Sequence, residues 1–308
     1  MRHPEEYRRR LTRALHHLLR HLAQPPSLSE VAAVACFSPY HFHRLFAAVM
    51  GETLAEYGRR LRLEWALFRL LDPSRPSVAQ VARELGFASP QNFAKSFKQF
   101  FGHTPSQIRA CGALTRVRQL LTAQAPGPWL TSLDQRGPLA VPLPQPSGDH
   151  PMDVTLVQRP SQLLAYIRVA GPYAQTMPAG FERLGRWSQA RGLCDGDWLA
   201  LYWDNPEQTP EDQLRADVAL SVPEGTQVGG EVQLQTLPAG TYACYRCRVT
   251  DGDFASPWQA LFGQWLPDSG YQPAEGPCFE QYLNDGRESG IWELNIFTPV
   301  KPLTAEAL

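Results

Sequence analysis

The stretch Phe37–Thr53, FSPYHFHRLFAAVMGET, is written a second time as Phe87–Thr104, FASPQNFAKSFKQFFGHT. Phe42, Phe46, Gly51 and Thr53 recur as Phe93, Phe97, Gly102 and Thr104, each displaced by 51. Upstream, Val31-Ala32 and Cys36-Phe37 recur as Val81-Ala82 and Gly86-Phe87, displaced by 50, so the extra residue falls in a turn. Each copy reads as a short helix, a tight turn and a second helix. Ser27 or Ser29, and then Ser77, suit the N-cap of the first helix, and Pro39 suits the opening turn of the second. In the second helices Phe42, Leu45, Phe46 and Val49, and then Phe93, Phe97 and Phe100, recur at helical spacing and point inward. The outward sets are Tyr40, His41, His43, Arg44 and Ala47 in one copy and Gln91, Asn92, Lys95 and Lys98 in the other. Two helices joined by a tight turn form a helix-turn-helix pattern, here in tandem.

Between the copies, Leu54, Tyr57, Leu61, Trp65, Phe68 and Leu71 mark one helix of about 27 Å, with Arg59, Arg60 and Arg62 on its outward side. A basic helix precedes the first copy, its apolar positions being Leu11, Leu15, Leu18 and Leu22. His17 and His21 stand four apart there, but no third ligand follows at metal spacing, and a solvated basic face is the reading. A final short helix, Pro105 to Ala110, closes the region. Residues 1–118 hold 18 Lys/Arg against 8 Asp/Glu, a net of +10; residues 150–308 hold 10 against 20, a net of −10. That asymmetry points to a polyanion as partner of the first half alone.

The tandem units, with Gly51/Thr53 and Gly102/Thr104-Pro105 closing them, resemble the AraC/XylS family of bacterial transcription regulators over residues 5 to about 112. The resemblance implies two recognition helices entering successive major-groove turns of a promoter, about 34 Å apart. Arg44 then suits guanine edges, with Tyr40 and His43 beside it; Gln91 and Asn92 suit adenine edges, and Lys95 a base or a phosphate. Ser38, Arg59, Arg62, Ser89 and Lys98 suit the phosphate backbone, which sets register.

Residues 125–151 are Pro-rich without periodicity and read as a tether, and the linker is assigned to 115–150 between domains at 1–114 and 151–304. Beyond it the pattern changes to strands at Val154–Val157, Leu164–Val169, Trp198–Trp203, Ala216–Val222, Val232–Leu237, Tyr242–Val249, Phe279–Leu283 and Trp292–Phe297. Helices are expected at Ala179–Ala190, with Phe181, Leu184 and Trp187 inward, and around Pro257–Leu266. Pro160, Trp187 and Gly192 have counterparts Pro238, Trp265 and Gly270, all displaced by 78, so the domain is expected to be α+β, built from two βαββ units with a cleft between them.

Ala170-Gly171-Pro172-Tyr173, Tyr202-Trp203-Asp204-Asn205-Pro206, Phe279-Glu280-Gln281-Tyr282 and Ile296-Phe297-Thr298-Pro299 make residues 152–302 resemble the GyrI-like effector-binding domain, an SHS2-type fold. Val169 replaces a frequent His, and Thr250–Phe254 replaces a second Gly-Pro-Tyr. The resemblance implies an apolar, cationic or aromatic small-molecule effector with Glu280 as its acidic partner and Tyr173, Trp203, Tyr282 and Trp292 around it. The order of domains resembles a Rob-type arrangement and implies RNA polymerase as a further partner, a monomer or weak dimer, and a cytoplasmic, nucleoid-associated location. No apolar run approaches a membrane span. Cys244 and Cys247 form a CxxC whose odd spacing along a strand separates the side chains; no metal, cofactor or catalytic set is expected. A hydrolase or drug-sequestering role for the second domain is the alternative.

Overall fold

Among the described residues, four helices of the first half begin at capping boxes, Ser27 with Glu30, Thr53 with Glu56, Ser77 with Gln80 and Thr104 with Gln107. In each, the hydroxyl accepts the backbone N–H three residues on, and the Glu or Gln accepts the cap's own N–H, so two otherwise orphaned donors are satisfied. The computed structural model describes residues 3–122, 152–193, 195–204 and 209–303. The first half contains α1 (His3–Arg20), α2 (Leu28–Val34), α3 (Pro39–Met50), α4 (Leu54–Leu70), α5 (Val78–Glu84), α6 (Pro90–Phe101), α7 (Pro105–Cys111) and α8 (Leu114–Thr122). Gly51 and Gly102 end α3 and α6 in the left-handed region, at φ 71° and 74°, where glycine carries no Cβ penalty. The chain divides into two compact units, Tyr7–Pro144 and Met1–Glu6 with Gln145–Leu308.

Helix α4 changes its buried side halfway. Leu54, Tyr57, Gly58 and Leu61 are buried, with Tyr57 edge-on to Phe46 at 5.6 Å. From there on the buried set is Leu63, Ala66, Leu67 and Leu70, which join Val81, Phe93, Phe97, Phe101 and Ile108 in the core of the second unit. At 100° per residue the two sets lie on opposite sides of the helix. The single apolar stripe expected from the sequence therefore stops at Leu61, Trp65 is left 38% exposed, and Phe68 and Leu71 are half-buried. Phe101 takes the buried place expected of Phe100, which is half-buried. Phe42, Phe46, Phe93 and Phe97 are fully buried, each stabilising the domain by about 1.5–3 kcal/mol. Residues 115–122, expected in the linker, belong to α8, and its Val117 and Leu121 enter the same core. The rest of that linker, residues 123–150, lies outside the described residues.

Among the described residues the second half contains nine strands: β1 (Val154–Arg159), β2 (Gln162–Ala170), β3 (Trp198–Tyr202), β4 (Arg215–Ser221), β5 (Gln233–Leu237), β6 (Gly240–Val249), β7 (Tyr271–Pro273), β8 (Cys278–Tyr282) and β9 (Trp292–Pro302). The main antiparallel path runs β1-β6-β9-β8-β3-β4-β2-β5, with β7 added to β9. Helix α9 (Tyr173–Gln189) follows β2 and starts six residues earlier than expected because it tolerates Pro178 inside it. Helix α10 (Ala255–Ala260) continues through a π-helical turn, Leu261–Trp265, into α11 (Leu266–Asp268).

The displacement of 78 is a local two-fold relation of the fold. At the centre, Leu201 of β3 pairs with Phe279 of β8, and 279 less 201 is 78. At the far end Arg159 pairs with Gly240 and Gln162 with Leu237, again interchanged by 78. Strands β1 and β2 are joined by two residues yet pair with β6 and β5, so the sheet curls and its inner face closes on itself. That face carries Leu164, Leu199, Leu201, Tyr242, Phe279 and Phe297. The other face carries α9 over Ala165, Ile167, Ala200 and Val218, and α10 with its continuation over Val249, Leu294 and Ile296. Among the described residues no helix is long and apolar enough to cross a membrane.

Candidate functional site

Alternation along β3 and β8 decides which side chains meet. Glu280 lies opposite Ala200 and Tyr202 opposite Cys278, on the helix-bearing side of the sheet where the two halves join. The Glu280 carboxylate is 1% exposed. Its Oε2 accepts the hydroxyls of Tyr202 at 2.7 Å and Tyr282 at 2.8 Å, and its Oε1 accepts the indole N–H of Trp258 at 2.9 Å. Hydrogen bonds to a charged group contribute about 1.5–3 kcal/mol each, which offsets the cost of burying the carboxylate. Burial first, and the negative charge of Glu280 second, hold both phenols well above the usual tyrosine range. The same two causes push the Cys247 thiol up to about 12.

Half-buried rings surround this carboxylate. Tyr173 meets Tyr202 edge-on at 5.1 Å, Phe181 meets Tyr282 at 5.3 Å, and Tyr282 meets Trp292 at 5.6 Å. The Tyr173 hydroxyl donates to the backbone oxygens of Asp204 and Arg215, which fixes that ring at the end of β3. The arrangement is a buried carboxylate beneath half-buried aromatic rings, a combination that favours positive charge.

Of the residues expected here, Tyr173, Glu280, Tyr282 and Trp292 come together, but Trp203 does not. One residue beyond Tyr202, it turns to the other face of the sheet, where its indole N–H donates to the buried Asp217 at 2.7 Å and its ring lies beside Arg168. Residues not singled out were Tyr202, Trp258 and Phe181. Tyr202 carried a signal, because it is the counterpart of Glu280 at the displacement of 78. Cys244 and Cys247 face opposite sides, one against the inner-face cluster and the other beside Val249 and Leu294.

In the first half, α3 and α6 present unequal surfaces. Gln91, Asn92, Lys95 and Lys98 are exposed along α6. On α3, Tyr40 and Arg44 are half-buried, with the guanidinium over the ring at 4.8 Å. His41 and His43, expected to point outward, are 5% and 1% exposed. Each stands on a shoulder of the inward stripe, His41 four residues before Leu45 and His43 three before Phe46, so helical geometry turns both toward the core. Burial first, and the Arg44 charge second, hold the His43 imidazole down at about 4. Ser38 and Ser89 accept backbone N–H groups of His41 and Asn92 as helix N-caps. Arg59 is exposed, but Arg60, expected on the same outward side, is drawn in by ion pairs to Glu52 and Glu64.

Two families match the chain. GyrI-like small molecule binding domains match residues 152–301, and a helix-turn-helix domain family matches residues 31–110. A DNA gyrase inhibitor of Yersinia enterocolitica is 44% identical over 154 residues, 49% of this chain and 98% of that protein. A DNA gyrase inhibitor of Edwardsiella ictaluri is 49% identical over 155 residues, again 49% of this chain and 99% of that protein. The crystal structure of a transcriptional regulator with an AraC-type DNA-binding domain from Chromobacterium violaceum is 28% identical, covering 35% of this chain and 95% of that one at a TM-score of 0.33.

Proposed function

We propose that this chain, which belongs to the GyrI-like family and carries an AraC-type helix-turn-helix region ahead of that domain, is a transcription regulator that reads DNA with α3 and α6 and senses a small molecule at Glu280. The observation that carries the sensing half is the buried Glu280 carboxylate held by Tyr202, Tyr282 and Trp258 under half-buried aromatic rings. The effector is an apolar cation, because a carboxylate beneath π-faces favours positive charge both directly and through the rings. The ligand binds without being turned over, and the protein is not an enzyme. Arg44, Tyr40, Gln91, Asn92 and Lys95 face base edges, while Ser38, Arg59, Arg62, Ser89 and Lys98 face phosphates; His43 supports α3 from within. Effector binding changes promoter affinity or the contact made with RNA polymerase. The test is genome-wide mapping of bound sites, followed by affinity for a recovered site with and without a lipophilic cation. Affinity that no such cation changes, with none found to bind the protein, would refute the sensing role.

A second reading concerns the sheet domain, whose 44–49% identical relatives are named DNA gyrase inhibitors. Residues 152–303 added to a gyrase supercoiling reaction would slow it on this reading; unimpaired supercoiling at saturating protein refutes it.

A further inference from the structure

The arginines of α4 are of two kinds. Arg60 is neutralised by Glu52 at 2.6 Å and Glu64 at 2.9 Å, and Arg69 by Asp72 at 2.7 Å and Glu84 at 2.9 Å. Arg59 and Arg62 make no ion pair among the described residues. Arg59 is exposed, and Arg62 is half-buried with its Nε shielded from solvent and without an acceptor among the described residues. The Arg62 guanidinium lies over the Phe87 ring at 5.3 Å, and Phe87 in turn packs on Phe93 of α6 at 5.0 Å. The two arginines, three positions apart and so on one face of the helix, flank the point where α4 changes its buried side. They stand on the helix that joins the two reader units, and Arg62 reaches α6 through Phe87. Burial and the neighbouring Arg59 charge both disfavour the Arg62 cation. A half-buried guanidinium held next to a second cation is unfavourable until an anion arrives.

We propose that Arg59 and Arg62 form a clamp for the DNA phosphates lying between the two major-groove contacts, with Phe87 holding Arg62 in the gripping pose. The inference rests on the assignment of α3 and α6 as DNA readers. Arginine is suited to this because its planar fork stacks on a ring and still offers paired donors to phosphate, whereas lysine keeps the charge and loses the stack. The clamp acts on backbone and not on bases, so it sets register and affinity without choosing the sequence.

The test uses the full-length protein, a duplex that it selects from a randomised 40-bp pool, and a scrambled duplex of the same composition. Arg59→Ala and Arg62→Met are each expected to make the slope of log K against log salt shallower by about one, on both duplexes. The selected sequence stays the same. Arg62→Lys is expected to keep the slope while binding more weakly, which separates the stack from the charge. Ethylation of phosphates midway between the two contacted segments is expected to block the wild type and to matter little to the double variant. Unchanged slopes in both single variants, or an interference pattern that survives in the double variant, would overturn the clamp. Failure of the wild type to select any duplex would refute the reader assignment itself. Selection altered by Gln91→Ala or Asn92→Ala, with salt slopes unmoved in the arginine variants, refutes the clamp alone.

Discussion

Glu280→Gln separates the charge at the centre of the sheet domain from its geometry. The carboxylate receives two phenols on Oε2 and one indole N–H on Oε1. A glutamine amide can present its oxygen to Trp258, which can only donate, and its NH2 to the tyrosines, whose hydroxyls rotate to accept. All three contacts survive, but each falls from a charge-assisted bond of about 1.5–3 kcal/mol to a neutral one of about 0.5–1.5 kcal/mol. Removing the several kcal/mol needed to desolvate a carboxylate opposes that loss, so the net change in folding stability stays within about 2 kcal/mol of zero. Ligand affinity has no such compensation. A cation loses its counter-charge, at about 1.4–3 kcal/mol, so benzyltrimethylammonium is expected to bind about 10- to 150-fold more weakly. Its neutral carbon isostere, neopentylbenzene, is expected to bind both proteins alike. Calorimetry with the two ligands, alongside thermal melts, measures all of this. Equal affinity of the cation for both proteins, or parallel losses for cation and isostere, would refute the charge-pairing argument.

At Gly86, φ is +70° and an added Cβ would overlap the backbone oxygen of Ala23, so Gly86→Ala should destabilise the helical unit by about 3 kcal/mol or more in urea melts. Its counterpart Cys36 sits at φ 59° with a Cβ already present; Cys36→Gly should leave stability unchanged or raise it, and Cys36→Val should lower it by about 1–2 kcal/mol. His43 is held at about 4 in the fold against 6.5 unfolded, so between those values the unfolded chain binds more protons. Stability therefore rises with pH across that window, and acid removes up to about 3 kcal/mol. In His43→Gln the difference between urea midpoints at pH 7 and pH 4.5 should shrink; an unchanged difference would place the acid sensitivity elsewhere.

The helical half was legible because a repeat states its own boundaries. Phe42/Phe93, Phe46/Phe97 and Gly51/Gly102 fall on equivalent positions of α3 and α6, and Thr53 and Thr104 are caps in both copies. What misled was periodicity carried past its cause. The spacing from Leu54 to Leu71 continues as one stripe, but the partner it packs against changes at Leu61, and sequence periodicity holds no record of a change of partner. His41 and His43 show the same limit, since a polar residue beside an apolar stripe is pulled inward when neighbouring helices close over it. In the sheet half Pro178 hid the first turns of α9. Trp203 was misplaced because a one-residue step at the end of a strand reverses the face.

The duplication also explains why the Glu280 cluster has no two-fold copy among the described residues of the sheet domain. The two-fold relation carries Glu280 onto Tyr202 and Trp258 onto Gly180, each pair separated by 78. In one half the helix position is a glycine so close to the sheet that an added Cβ would lie 2.8 Å from Val169 and 2.9 Å from Val218. In the other half the same position is a tryptophan that reaches the carboxylate. Restoring symmetry in either direction should fail for different physical reasons. A side chain at Gly180 must push α9 off β2 and β4, a packing cost of about 1–3 kcal/mol. Glycine at Trp258 leaves Oε1 of a buried carboxylate without its donor, at about 1–3 kcal/mol or more. A second acid at Tyr202 would set two carboxylates across the centre of one sheet, where each raises the other's protonation. The site therefore lies across the two-fold axis as one asymmetric cluster, with an acceptor from one repeat and a donor from the other. On the proposed reading one cationic guest would bind per domain; a calorimetric stoichiometry of two would refute that reading.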